Sequence, residues 1–327
     1  MRACVWASIV VLFTAITAAA QPPPPLCKAD AGWDDPAPPR HVFGNTYYVG
    51  TCGISALLIT SDRGHLLLDG ATEKAGPMIE ANIRALGFTI KDVRFILATH
   101  AHLDHAGGFA RLQRDSGAVM VARGADADAI ERGRGDRSDP QFASIDGFPP
   151  VKHVRRIADG ETLRLGPIAL VAHATPGHTP GSTSWTWSSC EGARCRSLAY
   201  TDSISAISDD VYRYTDEAQH PGVIASFRKT LATVAALPCD ILLTPHPGVS
   251  HMWARLGPNP AAPLVDANAC RAFAAQGLEK LEERIAKERD TTYFMAVRVA
   301  IAALLGQRSA VSGRSVKTTR IMARLLP

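Results

Sequence analysis

Apolar and polar positions along the chain follow two alternating periods. Short apolar runs, of the length expected for buried strands, recur between segments whose apolar residues fall three and four apart, as on one face of a helix. Residues 41–49 and 54–60 read as paired strands around a turn at 50–53. A third strand, 66–68, ends at Asp69-Gly70. Over 75–86, Ile79, Ile83 and Leu86 share a helical face and Gly87 supplies the stop. Strands at 93–98 and 118–122 and a helix at 125–132 complete this half. Residues 133–150 carry neither period and read as a long loop, a type of segment that often serves function.

The second half repeats the pattern. Strands are expected at 163–172, 184–187 and 197–201, then a helix at 221–237 with Ile224, Phe227, Leu231 and Val234 on one face. A strand at 239–243 follows, then a helix from 265 to about 290 with Ala269, Phe273, Leu278 and Leu281 inward. Trp185 and Trp187 share a strand face and read as core or cleft wall. Two similar halves, 40–120 and 160–290, suit an α/β fold in which two sheets pack together with helices outside.

Three of these strands hand histidines to short loops rich in glycine, proline or small residues. The run 93–98 leads into HAHLDH at 100–105, so His100, His102, Asp104 and His105 fall within six residues. In an extended loop His100 and His102 point the same way, because side chains alternate with period two. Asp104 and His105 can turn toward a second point. The strand 163–172 runs into a turn fixed by Pro176 and Gly177 ahead of His178, and the strand 239–243 delivers His246 between two prolines. His173 reads as structural. Imidazole with carboxylate is a zinc donor set, and two ions about 3.5–4 Å apart suit hydrolysis. Asp69, at a strand end, is a candidate to brace a ligating histidine from behind.

Length and charge narrow the class. The 327 residues suffice for one α/β domain with a large core, and a net charge of +4 is too mild for a nucleic-acid-binding field, so no nucleic-acid partner is expected. Arg2, an apolar run at 5–15 and small residues at 18–20 read as a secretory signal peptide over 1–20, followed by a stiff proline run at 22–25. The domain is placed at 21–290 and the remainder, 291–327, is a C-terminal extension. Within it 294–305 is apolar but too short to span a bilayer, and 308–327 is basic and reads as a mobile tail. A membrane-surface or partner helix is the other reading of that tail. No stable membrane anchor is expected, and the expected state is a monomer. Without Cys4, six cysteines remain: Cys27, Cys52, Cys190, Cys195, Cys239 and Cys270. An even count in an exported chain suggests disulfides, with fifteen connectivities open. Cys190 and Cys195 flank a plausible turn.

The set His100, His102, Asp104, His105, His178 and His246 resembles the metallo-β-lactamase superfamily. Within it the sequence is similar to the third subclass, B3, through YVGTCGISALL at 48–58, TPGHTPGSTSWTW at 175–187, YTDSI at 200–204 and ILLTPHP at 241–247. The resemblance covers about residues 30–290. It implies an αβ/βα sandwich of two mixed β-sheets with outer helices, the site on one edge. It further implies two Zn2+, one on His100, His102 and His178 and the other on Asp104, His105 and His246. The implied activity is zinc-dependent hydrolysis of the β-lactam amide bond by a hydroxide, in the periplasm, conferring antibiotic resistance. Asp104 would orient the nucleophile, Ser203 and Ser205 would meet the substrate carboxylate, and Gln141 would line the pocket. The implied disulfides are Cys27–Cys52, Cys190–Cys195 and Cys239–Cys270. A lactone or thioester hydrolase on the same scaffold is the first alternative, since such relatives often use a bridging aspartate near the place of Asp202. A non-catalytic zinc-binding protein is the second.

Overall fold

The computed structural model describes residues 27–28, 30–209, 211–257 and 260–311, with side chains through residue 290. The expected signal segment, 1–20, the proline run at 22–25 and the end of the expected tail, 312–327, lie outside the described residues.

The described strands form two sheets. The first contains β1 (Arg40–Phe43), β2 (Thr46–Tyr48), β3 (Leu57–Ser61), β4 (Gly64–Leu68), β5 (Val93–Leu97), β6 (Val119–Ala122) and β7 (Arg155–Arg156), in that order. It is antiparallel from β1 to β4 and parallel from β4 to β7. The second runs β8 (Thr162–Leu165), β9 (Ile168–Ala174), β10 (Thr183–Glu191), β11 (Arg194–Tyr200) and β12 (Ile241–Leu243). Only its β11–β12 pair is parallel. Helices α1 (Gly76–Ala85), α2 (Leu103–Ala106), α3 (Phe109–Ser116) and α4 (Gly124–Arg132) lie between strands of the first sheet. Helices α5 (Val223–Ala236), α6 (Met252–Arg255) and α7 (Ala269–Val311) belong to the second half.

Strand alternation builds the layers. Leu57, Ile59, Leu66, Leu68 and Leu97 point between the sheets, where they meet Leu170, Trp185, Trp187, Leu198, Tyr200, Ile241 and Leu243. Leu58, Leu67, Ile96 and Met120 point the other way, onto Ile79, Ile83, Phe109, Leu112 and Ile130 of α1, α3 and α4. Ala199 and Leu242 point outward from the second sheet onto Phe227, Leu231, Phe273 and Leu281 of α5 and α7. With both faces covered, β4 is buried at every residue, which explains why Leu66–Leu68 is apolar without alternation. The result is the expected αβ/βα sandwich.

Several boundaries differ from the sequence reading. The strand expected at 41–49 is a hairpin, β1 and β2, bent at Gly44, whose φ is +55°. A Cβ there would lie 2.3 Å from Ser189 Oγ, so glycine permits the close approach as well as the turn. The strand expected at 163–172 is likewise a hairpin, β8 and β9, turning at Gly166-Pro167. Leu278, expected inward, is exposed, and Phe273, Ala274, Leu281 and Ile285 make the buried face instead. Helix α7 does not end near 290 but continues to Val311. No proline occurs between Pro263 and Pro327, and the stretch past 290 is alanine-rich, so nothing local interrupts it. Among the described residues no helix is long and apolar enough to cross a membrane.

Disulfides join Cys27 to Cys52, Cys190 to Cys195 and Cys239 to Cys270. The first holds the N-terminal segment against the turn after β2, the second closes the β10–β11 hairpin, and the third ties the start of α7 to the lead-in of β12.

Candidate metal centre

The carboxyl ends of β4, β5, β11 and β12 meet at one edge of the sandwich, which is where open α/β sheets place their sites. Cross-links between the halves fix that edge. Thr183 N–H donates to Thr99 O at 2.9 Å and Ser55 N–H to Pro245 O at 2.7 Å. The Trp185 indole N–H donates to Ala98 O at 3.0 Å, directly beneath the histidine-rich loop.

His100 and His102 precede α2, while Asp104 and His105 sit in that single turn of helix. His178 lies in the β9–β10 loop and His246 follows β12. The structure brings all six together. Ligand atoms of His100, His102 and His178 lie within 4.8 Å of one another, as do those of His100, Asp104 and His105. On the other side, Asp104 Oδ2 is 3.1 Å from His105 Nε2 and 3.3 Å from His246 Nε2, and those two nitrogens are 3.2 Å apart. Three donor atoms thus converge in each of two groups.

The far side of most rings is braced. Asp202 Oδ1 is 2.7 Å from His100 Nδ1, Asp139 Oδ2 is 3.0 Å from His102 Nε2, and the carbonyl of Ser205 is 3.1 Å from His178 Nδ1. Such partners set the tautomer and leave the other nitrogen's lone pair facing inward. His100 Nε2 is buried without any hydrogen-bond partner, which is the signature of a donor waiting for a cation. Burial, then the neighbouring imidazoles, push His100 and His178 well below the ordinary histidine range, so both are neutral at pH 7 and able to ligate. Burial alone would lower His105 too, but the Asp104 carboxylate outweighs it and raises the group. The residues present therefore fit a divalent metal, and N/O donors of this type suit zinc.

Asp69 does not brace a histidine by hydrogen bonding. Its carboxylate accepts from Thr99 N–H, Thr99 Oγ1–H and Tyr200 O–H, each at 2.8 Å, and lies 3.9 Å from His105 Nδ1. It orients the loop instead, and burial pushes its carboxyl up to about 6. Bracing falls to Asp202 and Asp139. His173 contacts Thr186 Oγ1 at 2.8 Å on the sheet, away from the ligand set.

A cleft of about 530 Å3 opens onto His102, Asp104, His178 and His246, with His100 and His105 buried behind them. Ser203, Ser205 and Gln141 line it, with Gln141 Nε2 3.4 Å from His178 Nε2. Ser205 also turns its hydroxyl toward His178 Nδ1, at 3.2 Å. Sequence reasoning missed Trp33, whose ring lies 6.3 Å from that of His246, and the α7 wall of Phe273, Gln276 and Lys280. It also missed Asp126, which binds two ligand loops at once: Ala101 N–H at 3.1 Å, Thr179 Oγ1–H at 2.8 Å and Gly181 N–H at 2.9 Å. No local signal marks these positions, because their role depends on distant segments.

Gly177 sets the entry to His178. Its φ is +147°, and a Cβ would sit 2.6 Å from the Phe227 ring. Gly177→Ala is expected to cost about 1–3 kcal/mol through overpacking and to lower the bound-metal stoichiometry by shifting His178. Thermal unfolding together with metal analysis checks both effects.

The metallo-beta-lactamase superfamily model matches residues 49–191. The chain is similar to MEM-A1, a subclass B3 metallo-beta-lactamase isolated from a soil metagenome library, at 41% identity and a TM-score of 0.77, over 80% of this chain and 100% of that one. It is also similar to the metallo-beta-lactamase MIM-1 from Novosphingobium pentaromativorans, at 46% identity and a TM-score of 0.77, over 81% of this chain and 97% of that one. Among curated sequences, a hydroxyacylglutathione hydrolase of Anaeromyxobacter dehalogenans is 37% identical over 94 residues, 29% of each chain. The chain spans less than half the length of this and of two further curated relatives it matches.

Proposed function

The chain belongs to the metallo-β-lactamase superfamily and, within it, to subclass B3, and from that membership we propose a dizinc hydrolase that opens the β-lactam ring of penicillins, cephalosporins and carbapenems. The observation that carries the reading is the convergence of two three-donor groups, each of which presents two of its residues to one open cleft. His100, His102 and His178 would hold one ion and Asp104, His105 and His246 the other. Zinc held by these residues would supply a hydroxide near neutral pH and a Lewis acid for the substrate carbonyl. The remaining work belongs to the chain's own residues. Asp202, Asp139 and Ser205 hold the His100, His102 and His178 rings in register. Asp104 is held ionised, because the adjacent imidazoles overcome the upward push of burial, and it orients the attacking water. Ser203 and Ser205 receive the carboxylate that β-lactams carry, and Gln141 lines the same cleft beside His178. Three disulfides suit export to the periplasm, with residues 1–20 as the signal peptide and the mature enzyme a monomer.

A thioester or lactone hydrolase on this scaffold is the second reading, supported by the hydroxyacylglutathione hydrolase likeness. Against it stands Asp202, whose Oδ1 is committed to His100 Nδ1, the nitrogen that faces away from the ligand cluster. The test is hydrolysis of a carbapenem by the purified full chain, with a thioester and a lactone alongside. Carbapenem turnover that disappears on chelation and returns with zinc is expected. Folded, zinc-replete protein that cleaves only the thioester or lactone would overturn the β-lactamase reading.

A further inference from the structure

Two loops that line the cleft meet beside it. The first spans 133–150, and its tip carries Gln141 and Ile145 on the cleft wall together with Asp139, the partner of His102. The second follows β11 and carries Ser203, Ser205 and Ile207, which also line the cleft. Between them lies Asp209, a carboxylate only 6% exposed, which the reading of the metal centre does not use. Its Oδ1 accepts from the N–H groups of Val211 at 2.9 Å and Tyr212 at 2.7 Å, folding its own loop into a turn. Its Oδ2 reaches across the gap and accepts from Ala143 N–H at 2.9 Å and Arg137 Nη2 at 2.7 Å. The Asp209 N–H completes the junction by donating to Pro140 O at 2.8 Å.

The two loops are not equally anchored. The second is also tied to α7, where Glu288 Oε2 accepts from Thr215 N–H at 2.8 Å and Arg284 donates to Ser208. The first is fastened at its base, by Phe148 N–H to Gly133 O and Val151 N–H to Ile130 O. Its tip is held by Asp209 and, through Asp139 and Gln141, by the ring edges of His102 and His178. Burial pushes the Asp209 carboxyl up, but the hydrogen bonds from Tyr212, Ala143, Arg137 and Val211 outweigh it and keep the group ionised.

We propose that Asp209, with Arg137, is a positioning residue that sets the spacing of the Gln141 and Ser203–Ser205 walls, and thereby the affinity of the cleft for its substrate. The inference rests on the β-lactamase reading for its kinetic consequence, while the clip itself has a readout independent of activity. Asp209→Asn is the discriminating variant. Its remaining oxygen still accepts from Val211 and Tyr212, so the local turn survives. Its amide nitrogen cannot accept from Ala143 or Arg137, so the two crossing side-chain bonds are lost while the backbone bond to Pro140 O remains.

In Asp209→Asn, KM for a β-lactam is expected to rise about tenfold with kcat changed less than threefold and bound metal unchanged. Arg137→Met, at a half-exposed side chain, is expected to raise KM about threefold, since the Ala143 bond remains. Amide hydrogen exchange over residues 136–145 is expected to accelerate in both. If folded Asp209→Asn keeps the parent's exchange rates and KM, the clip does not position the loop. A fall in kcat with metal loss and an unchanged KM would equally overturn it, by showing a role in the metal centre. Should the parent hydrolyse no β-lactam, the exchange rates still decide whether the clip exists, so the two readings fail separately.

Discussion

His246→Ala is expected to cut β-lactam turnover by at least about 10²-fold while leaving the fold intact. His246 is the most accessible of the six residues, its side chain 31% exposed on the open flank of the cleft. Removing it therefore creates no buried cavity, and its loss should fall on chemistry rather than stability. What it removes is one of three donors around Asp104 and His105. Partners that merely brace a metal ligand are worth about 10–100-fold in affinity or activity, so loss of a direct ligand should reach at least the top of that range. Turnover, metal content and thermal midpoint are the measurements. Unchanged kcat with both ions bound would remove His246 from the ligand set. Loss of turnover accompanied by unfolding would instead reassign it to structure.

Asp126→Ala carries the largest expected effect on stability. The side chain is 3% exposed and receives Ala101 N–H, Thr179 Oγ1–H and Gly181 N–H. Thr179 keeps a second partner in Ser182 Oγ at 2.8 Å, but the two backbone N–H groups would be left buried and unpaired. At roughly 1.5 kcal/mol for each of the two orphaned groups, the loss is about 3 kcal/mol, and the melting temperature should fall by roughly 6–12 °C for a domain of this size. Because Asp126 joins the loop of His100 and His102 to that of His178, metal affinity should fall with it. Asp126→Asn, which keeps one accepting oxygen, should lose less. A pH signature accompanies the effect in metal-free protein. Burial, opposed by the Thr179 bond, pushes the Asp126 carboxyl up to about 7. A raised pKa means the folded state holds the proton more tightly than the unfolded chain. Its stabilising contribution is therefore complete below about pH 4 and lost as pH rises toward 7. The stability gap between the parent and Asp126→Asn should narrow over that window. A melting temperature of Asp126→Ala within a degree of the parent would refute the bridging role.

The ligand set was legible because its signal is local. His100, His102, Asp104 and His105 fall within six residues, and the Pro/Gly punctuation around His178 and His246 marks tight turns after apolar strands. Strand alternation likewise made the layers readable, since Leu57 and Leu58 must face opposite sides of a sheet covered on both. Gly44-Asn45 and Gly166-Pro167 are turn signals, but the strands they separate are so short, three to seven residues, that each pair was read as one strand.

By itself the sequence determined the order of elements, the three strand ends that present histidines, and the chemistry those donors suit. Periodicity and turn chemistry act over a few residues, and the chain states them directly. Only the tertiary structure decided which carboxylate serves which role. Asp69 ends a strand and looked suited to bracing a ligand, yet its hydrogen bonds go to Thr99 and Tyr200. Asp139, Asp126 and Asp209 sit in stretches with no distinguishing pattern, yet they brace His102, join two ligand loops and clip together the two loops that line the cleft. A buried carboxylate takes its function from whatever donors close around it, and those come from segments tens of residues away.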